Sequence, residues 1–216
     1  MLGKILDIIF PPVCGICGKI DPNSLCKKCE IQLKNQAVFG DDDYSKDEGK
    51  YFDEHLYVFM YSGVIRKIML NYKFNDNAYI YKTFINFLLN NKNFVEKIKS
   101  YDIIIPVPLS KKREKERGYN QSELIAMEIS NLINLQIDKS CLKKSKNITA
   151  QSTLNKEERL RNIEGAYSIK SLKNIEQKKV LIIDDIYTTG STVNECSKLI
   201  KQVEIEKIGI LTIAKD

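Results

Sequence analysis

Val180-Leu181-Ile182-Ile183-Asp184-Asp185-Ile186-Tyr187-Thr188-Thr189-Gly190-Ser191-Thr192 is the stretch on which the fold of this chain turns. Four consecutive apolar residues, Val180 to Ile183, predict a strand buried on both faces, as in parallel sheets. Two carboxylates close the strand, and a hydroxyl-rich turn follows. A helical pattern then runs from Thr192 through Glu195, Leu199 and Ile200. That order sets a backbone turn, hydroxyls and a helix N-terminus at the C-terminal edge of a sheet, where open α/β folds bind ligands. Free N–H groups and the helix dipole suit phosphate there. Two carboxylates would repel such a ligand unless they meet sugar hydroxyls or Mg²⁺. The combination points to a phosphorylated sugar.

Along these residues the stretch resembles the phosphoribosyl pyrophosphate (PRPP) motif of type I phosphoribosyltransferases. It is not a Walker A loop, since no Gly-Lys-Ser/Thr follows the turn, and Gly190 stands alone, which excludes a dinucleotide fingerprint. The competing reading is an ordinary strand-turn-helix whose Asp and Thr side chains only cap and solvate; capping needs one such residue rather than five.

Outward from this motif, 216 residues suit one α/β domain with a small appendage, or two small domains. The apolar run Met1 to Phe10 is short, is interrupted by Asp7 and lacks a small-residue cleavage site, so no signal peptide is expected. No segment is long enough to span a bilayer. A cytoplasmic protein without membrane insertion is the expectation.

The formal charge of +6 is unevenly spread. Lys111 to Arg117 reads KKREKER, and Lys139 to Arg161 carries a second group of cations, whereas Asp41 to Glu54 is acidic. Clustered cations attract polyanions; the alternative is solvated surface charge. The single histidine, His55, lies in a strand-like stretch far from the motif and reads as a surface or packing residue.

Cys14-x-x-Cys17 and Cys26-x-x-Cys29 offer four thiolates at a spacing that suits a closed tetrahedral Zn²⁺ site, structural rather than catalytic. A cytosolic chain disfavours disulfides, and two adjacent CxxC pairs without a thioredoxin-like βαβ context disfavour redox chemistry. Lys27 and Lys28 beside the cluster either offset its charge or touch a phosphate backbone. Cys141 and Cys196 read as reduced thiols without special role.

The expected organisation is an N-terminal helix and zinc finger over 1–36, an acidic linker over 37–55 with a flexible loop at Gly40–Lys50, and a phosphoribosyltransferase-like domain over 56–216. Strands are expected at Leu56–Tyr61, Asp102–Val107, Ile137–Leu142 and Ile205–Ala214, besides the motif strand. Helical patterns run over Val64–Met69, Tyr79–Leu89 and Ser122–Leu132. A charged loop runs from Pro108 to Gly118, and Lys143–Thr153 reads as a mobile one. Alternation of strands and helices from residue 101 argues for a right-handed parallel α/β sheet with flanking helices.

Taken together, the cysteine quartet, YSGVIRKIMLNYKF (61–74), IIPVPLSKKREKERGYNQSELIA (104–126), AQSTLNKEERLRNIEGAY (150–167) and the motif at 180–192 resemble the competence protein F (ComF/ComFC) family. The resemblance implies a zinc finger joined to a type I phosphoribosyltransferase domain. It also implies a role in natural transformation, handling single-stranded DNA beside a helicase-like partner. By residue, it implies that Asp184 and Asp185 hold the ribose hydroxyls of PRPP, and that Thr188, Thr189, Gly190, Ser191 and Thr192 cradle its 5′-phosphate. The loop after Pro108, with Arg117, Gly118, Tyr119, Asn120 and Gln121, would face the pyrophosphate with Mg²⁺. Arg159, Arg161 and Asn162 would lie on or near a mobile hood. Displacement of pyrophosphate passes through an oxocarbenium-like state, so cations on the leaving group and a closing loop suit that chemistry.

Three function classes fit these residues. One is a transferase that moves phosphoribosyl to an acceptor or hydrolyses PRPP. Another is a single-stranded DNA-binding adaptor without chemistry, and the third a PRPP sensor. The reading carried forward combines the last two. PRPP-Mg²⁺ occupies the pocket, and the finger with Lys27 and Lys28 and the basic run with Lys111, Lys112 and Arg113 contact single-stranded DNA. Tyr72, Phe74, Tyr119 and Tyr187 are the aromatics that could stack on bases, although core packing is the commoner use of such residues.

Overall fold

In the computed structural model, which describes residues 13–14, 16–21, 25–74, 80–145 and 165–216, the motif strand β7 runs over Lys179–Tyr187. Val180 and Ile182 join one apolar cluster and Leu181 and Ile183 the other, so both faces of the strand are buried. β7 pairs in parallel with β8 (Lys207–Lys215) on one side and β3 (Ile103–Pro106) on the other. Outside these lie β2 (Glu54–Met60), parallel to β8, and β4 (Gln136–Ile137), parallel to β3. An antiparallel edge strand, β1 (Ala37–Asp43), completes the order β1-β2-β8-β7-β3-β4.

This order places the site. From β3 the chain moves out to β4, and from β7 it moves the opposite way to β8. The crevice at the C-terminal ends of β3 and β7 is therefore the topological switch point, where open α/β sheets take ligands.

Helices α1 (Lys27–Lys34), α2 (Gly63–Phe74), α3 (Ile80–Leu89), α4 (Lys92–Lys99), α5 (Lys111–Arg117), α6 (Gln121–Ile133) and α7 (Ser191–Ile200) complete the described architecture. The expected periodicities over 64–69, 79–89 and 122–132 fall within α2, α3 and α6. Leu33 of α1 is buried in the same cluster as Phe84 and Ile125, with Ile16 and Leu25 against it. The cysteine-bearing segment is thus packed onto the main core.

Four expectations are corrected. The flexible loop at Gly40–Lys50 begins instead as β1, two of whose three acids form ion pairs: Asp41 with Lys97 and Asp42 with Lys215. Charged residues are usual on an edge strand, which hides its pattern. Lys111–Arg117 is the helix α5 rather than a loop. Ser110 accepts the Arg113 amide at 3.4 Å, and Gly118 closes the helix with φ 78°. Lys, Arg and Glu are good helix formers even without an apolar stripe.

The strand expected over Ile137–Leu142 is broken in two. Asp138 Oδ1 accepts the Ser140 amide at 2.7 Å, a local turn that ends β4. The chain resumes as β5 (Leu142–Lys144), which pairs antiparallel with β6 (Tyr167–Ile169) in a separate ribbon. The mobile loop expected from Lys143 therefore starts in a strand. Its remainder, residues 146–153, lies outside the described residues, as do Met1–Phe10 and the hood residues Arg159, Arg161 and Asn162.

Candidate functional site

β7 carries Asp184 and Asp185 to its C-terminal end, beside the loop that leaves β3. Ser122, in the first turn of α6, donates its hydroxyl to Asp184 Oδ1 at 2.9 Å, and the Asp185 amide donates to the same oxygen at 2.9 Å. Asp184 is thereby aimed, while Asp185 is buried beside it. Asn120 holds this arrangement to the sheet: its Nδ2 donates to the Val107 carbonyl at 3.1 Å, and its Oδ1 caps α6 by accepting the Ser122 amide at 3.2 Å.

A pocket of about 260 Å³ opens over these groups. Its walls include Pro108, Arg113, Arg117, Asn120, Gln121, Lys144, Tyr167, Asp184, Asp185, Thr188 and Thr192. Arg117 donates to Gln121 Oε1 at 3.1 Å. Burial lowers its pKa and Asp185 opposes that shift; a guanidinium stays charged regardless. Gln121 is 2% exposed, and its Nε2 is a buried donor without a hydrogen-bond acceptor among the described residues. Unsatisfied buried donors are uncommon, and this one lines a ligand-sized space.

Lys144 and Tyr167 are pocket residues that the sequence reading did not single out. They face each other across the β5–β6 ribbon, and Lys144 Nζ donates to the Tyr167 hydroxyl at 3.0 Å. Burial and then Arg113 lower the Lys144 pKa, while Asp184 raises it. Arg113, Arg117 and Lys144 thus bring three cations to one cavity with two carboxylates. The basic run at 139–161 was the signal for Lys144. The cross-strand partner that carries it to the pocket has no local signature.

The turn after β7 divides into two faces. Thr188 and Thr192 line the pocket. Thr189 and Ser191 share a hydroxyl hydrogen bond at 2.7 Å, and Gly190 is the N-cap of α7 in the left-handed region, φ 70°. Asn91, Ser110 and Asn120 cap α4, α5 and α6 with side-chain hydrogen bonds, whereas α7 has no such cap. The Ser191 amide meets Thr189 Oγ1 at 3.4 Å, and a helix N-terminus of this kind suits an anion. Of the remaining expected residues, Gly118 is the C-cap of α5. Tyr119 stacks on Tyr72 at 6.0 Å and donates to the Tyr72 carbonyl at 2.6 Å. Tyr72 and Tyr187 are buried in the core, which removes them as stacking platforms; the Phe74 side chain is outside the described set.

The four cysteines form a separate cluster, with all four Sγ atoms within 4.8 Å of one another. Cys17 and Cys26 Sγ are 3.7 Å apart. Tetrahedral Zn–S bonds of about 2.3 Å require sulfur separations of about 3.8 Å, so the cluster fits that ion. Burial raises the Cys14 pKa, but the backbone N–H groups of Cys26, Cys17 and Ile16 outweigh it and bring the thiol to about 6. Burial first, then hydrogen bonds with Cys26, Cys17 and Cys14, push Cys29 well up. Lys27 and Lys28 are exposed on the first turn of α1. Lys111 and Lys112 are exposed on α5, while Arg113 turns into the pocket.

The chain is similar in sequence to several known proteins. The profile of the phosphoribosyl transferase domain matches residues 120–216, which contain α6, the β5–β6 ribbon, the Asp pair and the turn. Competence protein F of Haemophilus influenzae is 27% identical over 214 residues, covering 91% of this chain and 92% of that one. Competence protein ComFC of Streptococcus pneumoniae is 29% identical over 202 residues, covering 94% and 80% respectively. A purine phosphoribosyltransferase from Pyrococcus horikoshii gives a TM-score of 0.37 at 16% identity, over 56% of this chain and 66% of that one, too distant to argue from.

Proposed function

We propose, from the premise that the chain belongs to the competence protein F (ComF/ComFC) family, that its pocket binds PRPP with Mg²⁺ and that its basic surfaces bind single-stranded DNA during DNA uptake. The observation that carries this reading is the shared cavity. Asp184 and Asp185 face Arg113, Arg117 and Lys144 at the switch point, beside the uncapped N-terminus of α7. Cations and carboxylates lining one cavity offer partners to a ligand that carries both anionic groups and hydroxyls. A pure polyanion would meet the two carboxylates. A ligand with anionic ends and a hydroxylated middle satisfies both sets.

In this reading Asp184, oriented by Ser122, and Asp185 accept from ribose hydroxyls. The amides and hydroxyls of residues 188–192 take the 5′-phosphate. Arg117, Asn120, Gln121 and the loop after Pro108 take the pyrophosphate end, where Mg²⁺ would neutralise charge. Zn²⁺ on Cys14, Cys17, Cys26 and Cys29 is structural. Transfer to an acceptor is the second reading, favoured by both carboxylates being present with cations in the same pocket. A helicase-like partner belongs to this proposal as well; the relatives' names support a role in competence. No described helix is long and apolar enough to cross a membrane.

Labelled single-stranded DNA tests the surface. If Lys27, Lys28, Lys111 and Lys112 contact phosphates, log K falls with log salt at a slope of about −3, and the Lys111→Ala/Lys112→Ala variant roughly halves it. A slope near zero contradicts DNA binding through these residues.

A further inference from the structure

The segment Tyr44–Asp53, to which the sequence reading assigned no role, lies against the turn that follows β7. Its neck is closed by the Tyr44 amide donating to the Asp53 carbonyl at 2.8 Å, and Asp53 is fixed to β8 by accepting the Ile208 amide at 2.7 Å. Its middle reaches α7. Asn194 Oδ1 accepts the Tyr51 amide at 2.9 Å, and Asn194 Nδ2 donates to the Gly49 carbonyl at 3.0 Å. Both polar atoms of one side chain in the first turn of α7 are thus committed to this segment.

Lys50 makes the second attachment. Its ammonium sits 5.5 Å from the Tyr44 and Phe52 ring centroids and 5.9 Å from that of Tyr187, and it donates to the Tyr187 hydroxyl at 3.2 Å. A cation among three rings is a specific, partly desolvated contact. Tyr187 in turn underlies the turn: a Cβ on Gly190 would lie 2.3 Å from its hydroxyl. Phe52 is 1% exposed and packs edge-on against Tyr187 at 6.4 Å, with His55 stacked on that ring at 4.3 Å. Contacts therefore run from Lys50 to Tyr187 to Gly190, and from Gly49 and Tyr51 through Asn194 to the start of α7.

We propose that Tyr44–Asp53 is a brace that fixes the phosphate turn in its binding geometry, with Lys50 and Asn194 as its positioning residues. This rests on the reading of residues 188–192 as a phosphate site. A turn that must present several amides to one anion gains from being rigid before the ligand arrives. Gly190, the N-cap of α7, has no side chain to fasten the helix start, and the Ser191 amide meets Thr189 Oγ1 only at 3.4 Å. The brace adds fastening at Tyr187 and Asn194.

The test is ¹⁵N relaxation on the unliganded protein, with Val180–Ile183 as an internal reference. In the wild type, Thr188–Thr192 should show order parameters of about 0.85; in Asn194→Ala and Lys50→Met they should fall toward about 0.6 while the reference stays rigid. Lys50→Arg should keep the wild-type values. Lys50→Met retains the aliphatic stem and serves if Asn194→Ala does not fold. In a second arm, ribose 5-phosphate should bind Lys50→Met about tenfold more weakly than wild type, with inorganic pyrophosphate affinity unchanged. An unaltered turn in both variants overturns the brace. Loosened turns in a protein whose wild type binds no ribose 5-phosphate overturn the phosphate reading and leave the brace standing.

Discussion

The Tyr187 hydroxyl occupies the space that a side chain on Gly190 would need, 2.3 Å from the position of its Cβ. Gly190 also sits at φ 70°, a conformation costly for other residues. The turn thus depends on glycine twice over. Gly190→Ala should destabilise the protein by about 2 kcal/mol or more, since left-handed strain and overlap with a buried ring both count. Urea unfolding midpoints measure this. A loss below about 0.5 kcal/mol would mean that the turn relaxes freely.

His55 predicts a pH dependence. It is fully buried, with Nε2 2.8 Å from Thr212 Oγ1. The Thr212 hydrogen goes to the Ala214 carbonyl at 3.1 Å, so His55 Nε2–H is the donor and Nδ1 is an acceptor with no partner among the described residues. Burial, with Lys215 and Lys50 adding, depresses the His55 pKa from 6.5 to about 3. Between these values the unfolded chain binds a proton that the native state refuses, so stability falls as pH drops through this window. From pH 7 to pH 5 the His55 contribution should fall by about 2 kcal/mol. His55→Gln should remove that part of the slope. An unchanged slope in the variant would place the proton uptake elsewhere.

Cys26→Ser should abolish tight metal binding and lower the melting temperature, because structural zinc binding is coupled to local folding. Leu33, Ile16 and Leu25 join the main core, so the loss should extend beyond the finger itself. Metal analysis together with calorimetry decides it. One Zn²⁺ per chain retained in the variant would contradict the four-thiolate site.

The buried motif strand, the Asp pair, the hydroxyl-rich turn and the cysteine quartet were legible in the sequence because each is a contiguous local pattern. The helix α5 was not, since seven charged residues carry no apolar stripe and its caps, Ser110 and Gly118, were read as loop residues. β1 was hidden by acids that only the folded chain pairs with Lys97 and Lys215. Ser122, Lys144 and Tyr167 enter the pocket through contacts between distant parts of the chain. The same holds for Lys50 and Asn194, whose hydrogen bonds join residues about 140 apart in sequence. Local periodicity cannot encode such pairings.

The account stands on the Asp184–Asp185 pocket holding PRPP-Mg²⁺, and ³¹P NMR of PRPP with Mg²⁺ and the protein tests it most directly. The wild type should shift or broaden the 5′-phosphate and pyrophosphate signals, and Asp184→Asn/Asp185→Asn should abolish the effect. Inorganic pyrophosphate accumulating with the wild type alone would add turnover. Signals that the wild type leaves unperturbed would contradict the ligand reading and leave the fold as a scaffold for DNA binding.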